Sequence, residues 1–94
     1  RTPFMKAKGI GPFSAADLAV RAGQDLLSKL PIKASNVDQL IIGCTGPSQD
    51  EANIARIIGL RLGCGHKVPA WTVHRNCGSG LQAIDNAAHD IASG

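Results

Sequence analysis

Aromatic side chains are scarce in this 94-residue sequence, which contains two phenylalanines, one tryptophan and no tyrosine. Its core must therefore be packed from aliphatic side chains, and these are abundant because hydrophobic residues make up 44% of the chain. That share, together with 18% charged residues, is ordinary for a globular α/β protein. A chain of this length forms one small domain at most, and its core leaves a thin margin of stability.

Long apolar runs and runs of one charge are also missing. No stretch approaches the roughly 20 apolar residues that a membrane-spanning helix needs, and the first residues do not resemble a secretory signal. The ten basic residues are scattered and the net charge is only +3, whereas proteins that bind nucleic acid usually carry a basic stripe or face. We therefore expect neither a membrane nor a nucleic acid as a partner.

The three cysteines, Cys44, Cys64 and Cys77, cannot form an even set of disulfides. Reduced thiols in the cytoplasm explain this number better, because disulfides are rare in that compartment. Cys44 follows an apolar strand-like run and Cys64 follows a helix-like one, and we interpret both as structural.

The spacing of apolar residues predicts three helices. The first begins at the N-cap Ser14, with Asp17 completing an approximate capping box, and Pro31 ends it. The second spans Glu51–Leu62 and ends at Gly63. The third follows Cys77. The predicted inward faces are Leu18, Ala22, Leu26 and Leu30 in the first helix, Ile54, Ile57, Ile58 and Leu62 in the second, and Leu81, Ile84, Ala88 and Ile91 in the third.

Two short apolar runs, Val37–Thr45 and Val68–Arg75, predict buried parallel strands between these helices, after a loop over residues 1–13. The alternation indicates an α/β fold. Because a two-stranded sheet is too small to be covered on both faces, we expect a fragment truncated at both ends, residues 1–94 forming part of one domain. Its unpaired strand edges predict self-association. We expect a homodimer or homotetramer, and a non-catalytic fragment that only self-associates is an alternative function.

Cys77 lies where the second strand gives way to the third helix, in the sequence AWTVHRNCGSG. Whether Asn76 caps this helix, or Ser79 does so with Gln82 completing a capping box, the thiol lies within about one turn of the helix N-terminus. Unpaired N–H groups and the positive end of the helix dipole stabilise a thiolate there, which is the nucleophilic form. Spacing alone still favours a structural thiol over a nucleophile, because free cysteines are usually small buried hydrophobes.

The neighbours of Cys77 suit a nucleophilic role. Gly78 and Gly80 would let a substrate or another loop approach the backbone closely. The Cys77 N–H, with backbone support at Gly78, can donate to a developing oxyanion. We interpret His74 as a solvated or core histidine rather than as a base for Cys77, and Arg56 as an interface or structural residue rather than as a phosphate ligand.

A zinc-binding module is the alternative from another class. Cys64, His66, His74 and Cys77 lie within fourteen residues, and two cysteines with two histidines are a common zinc ligand set. Their spacing is irregular and crosses from a strand into a helix, so this alternative is less favoured.

Residues 76–83, Asn-Cys-Gly-Ser-Gly-Leu-Gln-Ala, resemble the acyl-accepting cysteine motif of the thiolases, the acetyl-CoA C-acyltransferase family. The resemblance covers nearly the whole chain, although only the Cys77 motif is specific alone. The residues flanking Cys77 resemble thiolases more than ketoacyl synthases, which share the fold and carry a cysteine at the same junction. Other segments that agree with the thiolases in the family's order are Arg1–Phe4, Val37–Asp38, Ile41–Gly43 and Asn53–Arg56.

The resemblance implies a thiolase-like N-terminal domain and ping-pong acyl transfer through Cys77, with acyl-CoA and CoA as substrates and no metal or bound prosthetic group. The family also uses a histidine in a Gly-His-Pro segment and a second cysteine near its C-terminus, with a histidine-or-asparagine element between. We match none of these to residues 1–94, and no role passes to His66, His74 or His89. The chain alone is therefore expected to be inactive.

Overall fold

The computed structural model of the chain describes residues 1–2 and 13–94. Helices and strands alternate in it, which confirms the predicted α/β pattern. The predicted loop over residues 1–13 lies almost wholly outside the described residues. In chain order the elements are α1 (Ala15–Ser28), β1 (Leu40–Gly43), α2 (Ile54–Leu62), β2 (Ala70–Val73) and α3 (Ser79–Ser93), with short 3-10 turns at Ala34–Asn36 and Gln49–Glu51.

Helix α1 begins with the predicted capping box. The Ser14 Oγ accepts a hydrogen bond from the Asp17 N–H at 3.1 Å, and the Asp17 carboxylate accepts one from the Ser14 N–H at 3.0 Å. The bond from the Ser14 backbone is the main cause of a lowered pKa at Asp17, and Arg61 contributes through an ion pair of 2.9 Å. This pair joins the start of α1 to the end of α2.

The predicted inward face of α1 is wrong at its C-terminal end. Leu26 is 56% exposed, and Leu30 lies beyond the helix and is 42% exposed. The buried residue is Ala16, with Ala19 and Val20 packed around the same core. The physical reason is that α1 packs against α2 through Ala16, Ala19, Val20 and Gly23, where an added Cβ would lie 2.9 Å from a Leu62 methyl group, and the large side chain of Leu26 lies off this contact.

Strands β1 and β2 pair in parallel, as predicted, with Leu40 opposite Ala70 and Gly43 opposite Val73. Because side chains alternate along a strand, Ile42 and Thr72 face the same side as Leu40 and Ala70. Helix α2 packs on that side, where Ile42 joins the core, and α3 packs on the other. A helix thus lies against each face, yet all residues of both strands are only half-buried.

Helix α2 carries the core of the described residues. Ile54 is 3% and Ile58 1% exposed, and Ile57 and Leu62 pack beside them, which confirms the predicted inward face. Gly63 ends the helix in the left-handed conformation, at φ +86°, as a C-terminal glycine should. The helix begins later than predicted because residues 49–51 form a separate 3-10 turn.

The predicted inward face of α3 is wrong. Leu81, Ile84 and Ile91 are 74%, 67% and 82% exposed, and Ala88 is exposed as well. We call these four residues the outer face of α3. The buried positions are Ser79 and Ala83. Small side chains bring the helix axis close to β1, so the large ones point away from the sheet.

The close approach of α3 to the sheet occurs at Gly43. A Cβ atom there would overlap the carbonyl oxygen of Ser79 and lie 2.6 Å from the Gly80 nitrogen. The first turn of α3 therefore rests directly on the backbone of β1. Within residues 1–2 and 13–94, no helix has both the length and the apolar character to cross a membrane.

Candidate functional site

Cys77 lies in the turn that joins β2 to α3. Its side chain is exposed and unpaired, and Gly78, the next residue, is the N-cap of the helix. Both predicted caps, Asn76 and Ser79, are therefore wrong. The predicted position of Cys77, within one turn of the helix N-terminus and at the carboxyl end of a parallel strand, is confirmed.

The turn is held in an unusual backbone conformation. Asn76 has φ +45°, and it is the only residue other than glycine with a positive φ in the described part of the chain. Asparagine tolerates this left-handed conformation better than most residues. The Gly78 N–H donates to the Arg75 carbonyl oxygen at 2.9 Å, and the Ser79 N–H donates to the Asn76 carbonyl oxygen at 3.2 Å. These two bonds enclose Cys77.

Ser79 is a functional candidate, although its place in the sequence predicts only a helix cap. Its side chain is buried, with 3% exposure. The Oγ accepts a hydrogen bond from the Arg75 N–H at 2.8 Å and donates one to the Asn76 carbonyl oxygen at 2.7 Å. Gln82 forms no capping box, because its amide contacts Asn86 and its carbonyl accepts from the Arg75 guanidinium.

The two glycines beside Cys77 differ in their surroundings. A Cβ atom at Gly78 would lie 3.4 Å from the Arg75 carbonyl oxygen, within ordinary van der Waals contact. At Gly80 nothing within 4 Å would meet it. The packing of the described residues therefore gives no steric reason for a glycine at position 80. An open groove of about 700 Å³ begins at Gly78 and runs along α3, lined by Arg75, Leu81 and Asp85 among others.

A network of hydrogen bonds holds β2 on the face of the sheet that packs against α2. The Thr72 Oγ1 donates to the Asn53 Oδ1 at 2.8 Å and accepts from the Ala55 N–H at 3.2 Å, while the Asn53 Nδ2 donates to the Ala70 carbonyl oxygen at 3.1 Å. Arg56 donates to the carbonyl oxygens of Val68 and His66 at 3.1 and 3.2 Å. The structural interpretation of Arg56 is confirmed, and β2 reaches the turn as a fixed strand.

The remaining candidates stay apart from Cys77. Cys64 is 5% exposed and Cys44 is half-buried beside the core, as their structural interpretation predicts. His74 is exposed, and over residues 13–94 no hydrogen bond joins it to the Cys77 thiol. In the described part of the chain no three His, Cys, Asp or Glu side chains are grouped to hold a metal ion. The zinc alternative is therefore not supported.

The α/β fold thus presents a free thiol between a parallel strand and a helix N-terminus, at the edge of the sheet where open α/β folds place their ligands. Residues 1–94 match the family described as the thiolase N-terminal domain. The chain belongs to the thiolase family, and the fold predicted from the resemblance is confirmed.

Two curated relatives show how much of a thiolase the chain represents. It is 40% identical to the 3-ketoacyl-CoA thiolase of Bacillus subtilis over 97 residues, which is 100% of this chain and 25% of that protein. It is 39% identical to the human mitochondrial 3-ketoacyl-CoA thiolase over 93 residues, which is 97% of this chain and 23% of that protein. The chain thus spans about a quarter of the length of these relatives.

Solved structures agree with the sequence comparison. Human mitochondrial 3-ketoacyl-CoA thiolase in complex with CoA superposes with a TM-score of 0.78 at 38% identity, over 85% of this chain and 21% of that one. A thiolase from Ascaris suum in complex with coenzyme A superposes with a TM-score of 0.81 at 25% identity, over 86% of this chain and 21% of that one.

Proposed function

We propose that residues 1–94 are the N-terminal part of a thiolase that transfers acyl groups between CoA thioesters, with Cys77 as the acyl acceptor. The observation that carries this proposal is the exposed free thiol of Cys77, placed directly before the N-cap of α3. Membership of the thiolase family supplies the reaction class. The reaction runs as thiolysis of a 3-ketoacyl-CoA or, in reverse, as condensation of acetyl-CoA.

The proposed reaction has two stages. In thiolysis, the Cys77 thiolate attacks the 3-keto carbon of the substrate and a carbon–sulfur bond forms. The bond between C2 and C3 then breaks, acetyl-CoA leaves as its enolate and takes up a proton, and an acyl thioester remains on Cys77. In the second stage the thiol of CoA loses its proton and attacks this thioester, which releases acyl-CoA and restores the thiolate.

Backbone groups at the turn support the charge that develops on the substrate oxygen. We assign this role to the Cys77 N–H, with backbone support from Gly78. Because the Gly78 N–H donates to the Arg75 carbonyl oxygen at 2.9 Å, it can serve an oxyanion only by leaving that carbonyl. The open space beside Gly80 gives a substrate room to approach the backbone. The histidine base and the proton-carrying second cysteine are assigned to the rest of the enzyme.

The proposal includes CoA as co-substrate and self-association as a homodimer or homotetramer. CoA is named with two of the solved thiolases that resemble this chain. The outer face of α3 and the half-buried strands leave apolar surface that a second copy or the remainder of the enzyme would cover. The three unpaired thiols are those of a protein in a reducing compartment, and on that ground we propose the cytoplasm.

Acyl trapping on the full-length polypeptide that carries these residues tests the proposal. The protein is incubated with acetyl-CoA, quenched in acid and digested, and the acetylated peptide is identified by mass spectrometry. We expect acetyl on Cys77, loss of trapping and turnover in Cys77→Ser, and both retained in the matched control Cys44→Ser. Turnover at the parental rate in Cys77→Ser would overturn the assignment.

A further inference from the structure

We propose that Ser79 is a positioning residue for Cys77, because its hydroxyl clamps the turn that presents the thiol. The inference rests on the proposed function and adds to it a residue that does not touch the substrate. Ser79 is the polar residue buried among the described residues, at 3% exposure. A buried hydroxyl carries a desolvation cost and is retained where its hydrogen bonds compensate.

The hydrogen bonds of Ser79 run backwards from the helix to the residues before Cys77. The Oγ accepts from the Arg75 N–H and donates to the Asn76 carbonyl oxygen, at 2.8 and 2.7 Å. It therefore holds the peptide group that precedes Arg75 and the peptide group that follows Asn76, so its two bonds span the residue in the left-handed conformation at φ +45°. Since such a conformation persists only where its surroundings hold it, the hydroxyl stabilises the turn conformation in which Cys77 is presented.

The clamp is itself fixed to the sheet. A Cβ at Gly43 would overlap the Ser79 carbonyl oxygen, so the first turn of α3 lies in contact with β1. Ser79 is thus held by the strand on one side and holds the turn on the other. Cys77 follows Arg75 and Asn76, whose backbone groups bind the Ser79 hydroxyl, and precedes α3, which carries Ser79. The direction of the Cys77 Cα–Cβ bond therefore depends on this clamp.

The test uses the full-length protein and the isosteric pair Ser79→Thr and Ser79→Val, which have the same shape and differ in the hydroxyl. The rate constant for acetylation of Cys77 is measured and corrected for the folded fraction, which is taken from circular dichroism. The KM for acetyl-CoA is measured on the same samples. We expect the threonine variant to acetylate at least about tenfold faster than the valine variant, with KM values within about twofold, because misplacement of a reacting group by about 1 Å can cost up to a hundredfold.

The other end of α3 provides a matched control. The Ser93 Oγ donates to the Asp90 carbonyl oxygen at 3.2 Å, three residues back, as the Ser79 Oγ does to Asn76. We expect Ser93→Ala to leave the acetylation rate unchanged. A purely structural role for Ser79 would lower the folded fraction of both members of the pair and leave their rate constants equal.

The outcomes separate this inference from the proposed function. Equal rate constants for the threonine and valine variants, with Cys77→Ser inactive, would overturn the positioning role and leave the nucleophile in place. A Cys77→Ser variant that keeps its turnover would overturn the proposed function itself. A slow valine variant, a fast threonine variant and an inactive Cys77→Ser variant support both.

Discussion

The two helices that lie against the sheet are built in opposite ways. Helix α2 buries large side chains, with Ile54 and Ile58 at 3% and 1% exposure, and it joins α1 and the strands in one core. Helix α3 buries Ser79 and Ala83 and leaves large apolar side chains outside. The difference separates a side of the molecule that buries large side chains in the core from a side that carries the thiol and leaves its large apolar side chains exposed.

The largest expected effect concerns the thiolase activity of residues 1–94 alone, which tests whether the α3 side supplies all the groups that the reaction needs. In the described part of the chain no histidine is hydrogen-bonded to Cys77, so the thiol has no base there to take its proton. We therefore expect purified residues 1–94 to have no thiolase activity: acetoacetyl-CoA and free CoA should give no acetyl-CoA, as measured by chromatography. Clear turnover by this chain would mean that the base and the second cysteine have been misassigned.

Stability is expected to respond very differently on the two sides. Ile58→Ala should lower the free energy of unfolding by about 2–5 kcal/mol, because it opens a cavity in the core around α2. Ile84→Ala, at a position 67% exposed, should change it by no more than about 0.5 kcal/mol in residues 1–94. Urea unfolding followed by circular dichroism measures both.

The same pair of variants in the full-length protein sharpens the comparison. If the outer face of α3 is covered there, Ile84→Ala becomes costly and approaches the effect of Ile58→Ala. An Ile84→Ala variant that stays neutral in the full-length protein would show that this face remains in water, contrary to the proposal that another copy or the rest of the enzyme covers it.

The contrast between the helices also explains which parts of the fold were predictable. The inward face of α2 followed from its apolar spacing, because the partners it packs against are in the described chain. The rule that large apolar residues lie inside failed for α3, since it assumes that all partners are present, and this chain spans a quarter of its relatives. The small residues Ser79 and Ala83 face the sheet instead.

The candidate site was predictable to a similar extent. The order of an apolar run, a cysteine and a helical pattern places Cys77 at the junction of strand and helix without any structure, although spacing alone favours a structural thiol and only the resemblance to thiolases favours a nucleophile. The clamp by Ser79 was missed because a serine at a helix start predicts a cap, and only the fold shows its hydroxyl bonded backwards to Arg75 and Asn76. The network of Asn53 and Thr72 joins residues 19 positions apart in sequence, beyond the reach of local patterns.

The contact between α3 and β1 is expected to tolerate no side chain. Gly43→Ala places a methyl group against the Ser79 carbonyl and should cost about 1–3 kcal/mol in free energy of unfolding, with loss of helical signal as α3 is displaced. Gly46→Ala is the matched control, because nothing lies within 4 Å of a Cβ there. Equal stabilities for the two variants would contradict the close packing of α3 on the sheet.

The smallest expected effects are the pH dependences, which have opposite signs on the two sides. On the α1–α2 side, the hydrogen bond from the Ser14 backbone lowers the pKa of Asp17 below 3.8. The charged carboxylate therefore stabilises the fold above that pH, and this contribution is lost as the pH falls through the lowered value. Asp17→Ala should be less stable than the parent at pH 6, and the gap should close in acid.

On the α3 side, the hydrogen bond from the His89 Nδ1 to the Asp85 carbonyl oxygen, at 2.8 Å, raises the pKa of His89 above 6.5, and the Asp85 carboxylate adds to this. The protonated imidazole therefore stabilises α3 below pH 6.5, and its contribution disappears as the pH rises through the raised value. His89→Gln should be less stable than the parent at pH 5 and equal to it at pH 9. Because both groups are exposed, salt should weaken both effects, and a stability gap for His89→Gln that widened with rising pH would reverse the sign argued here.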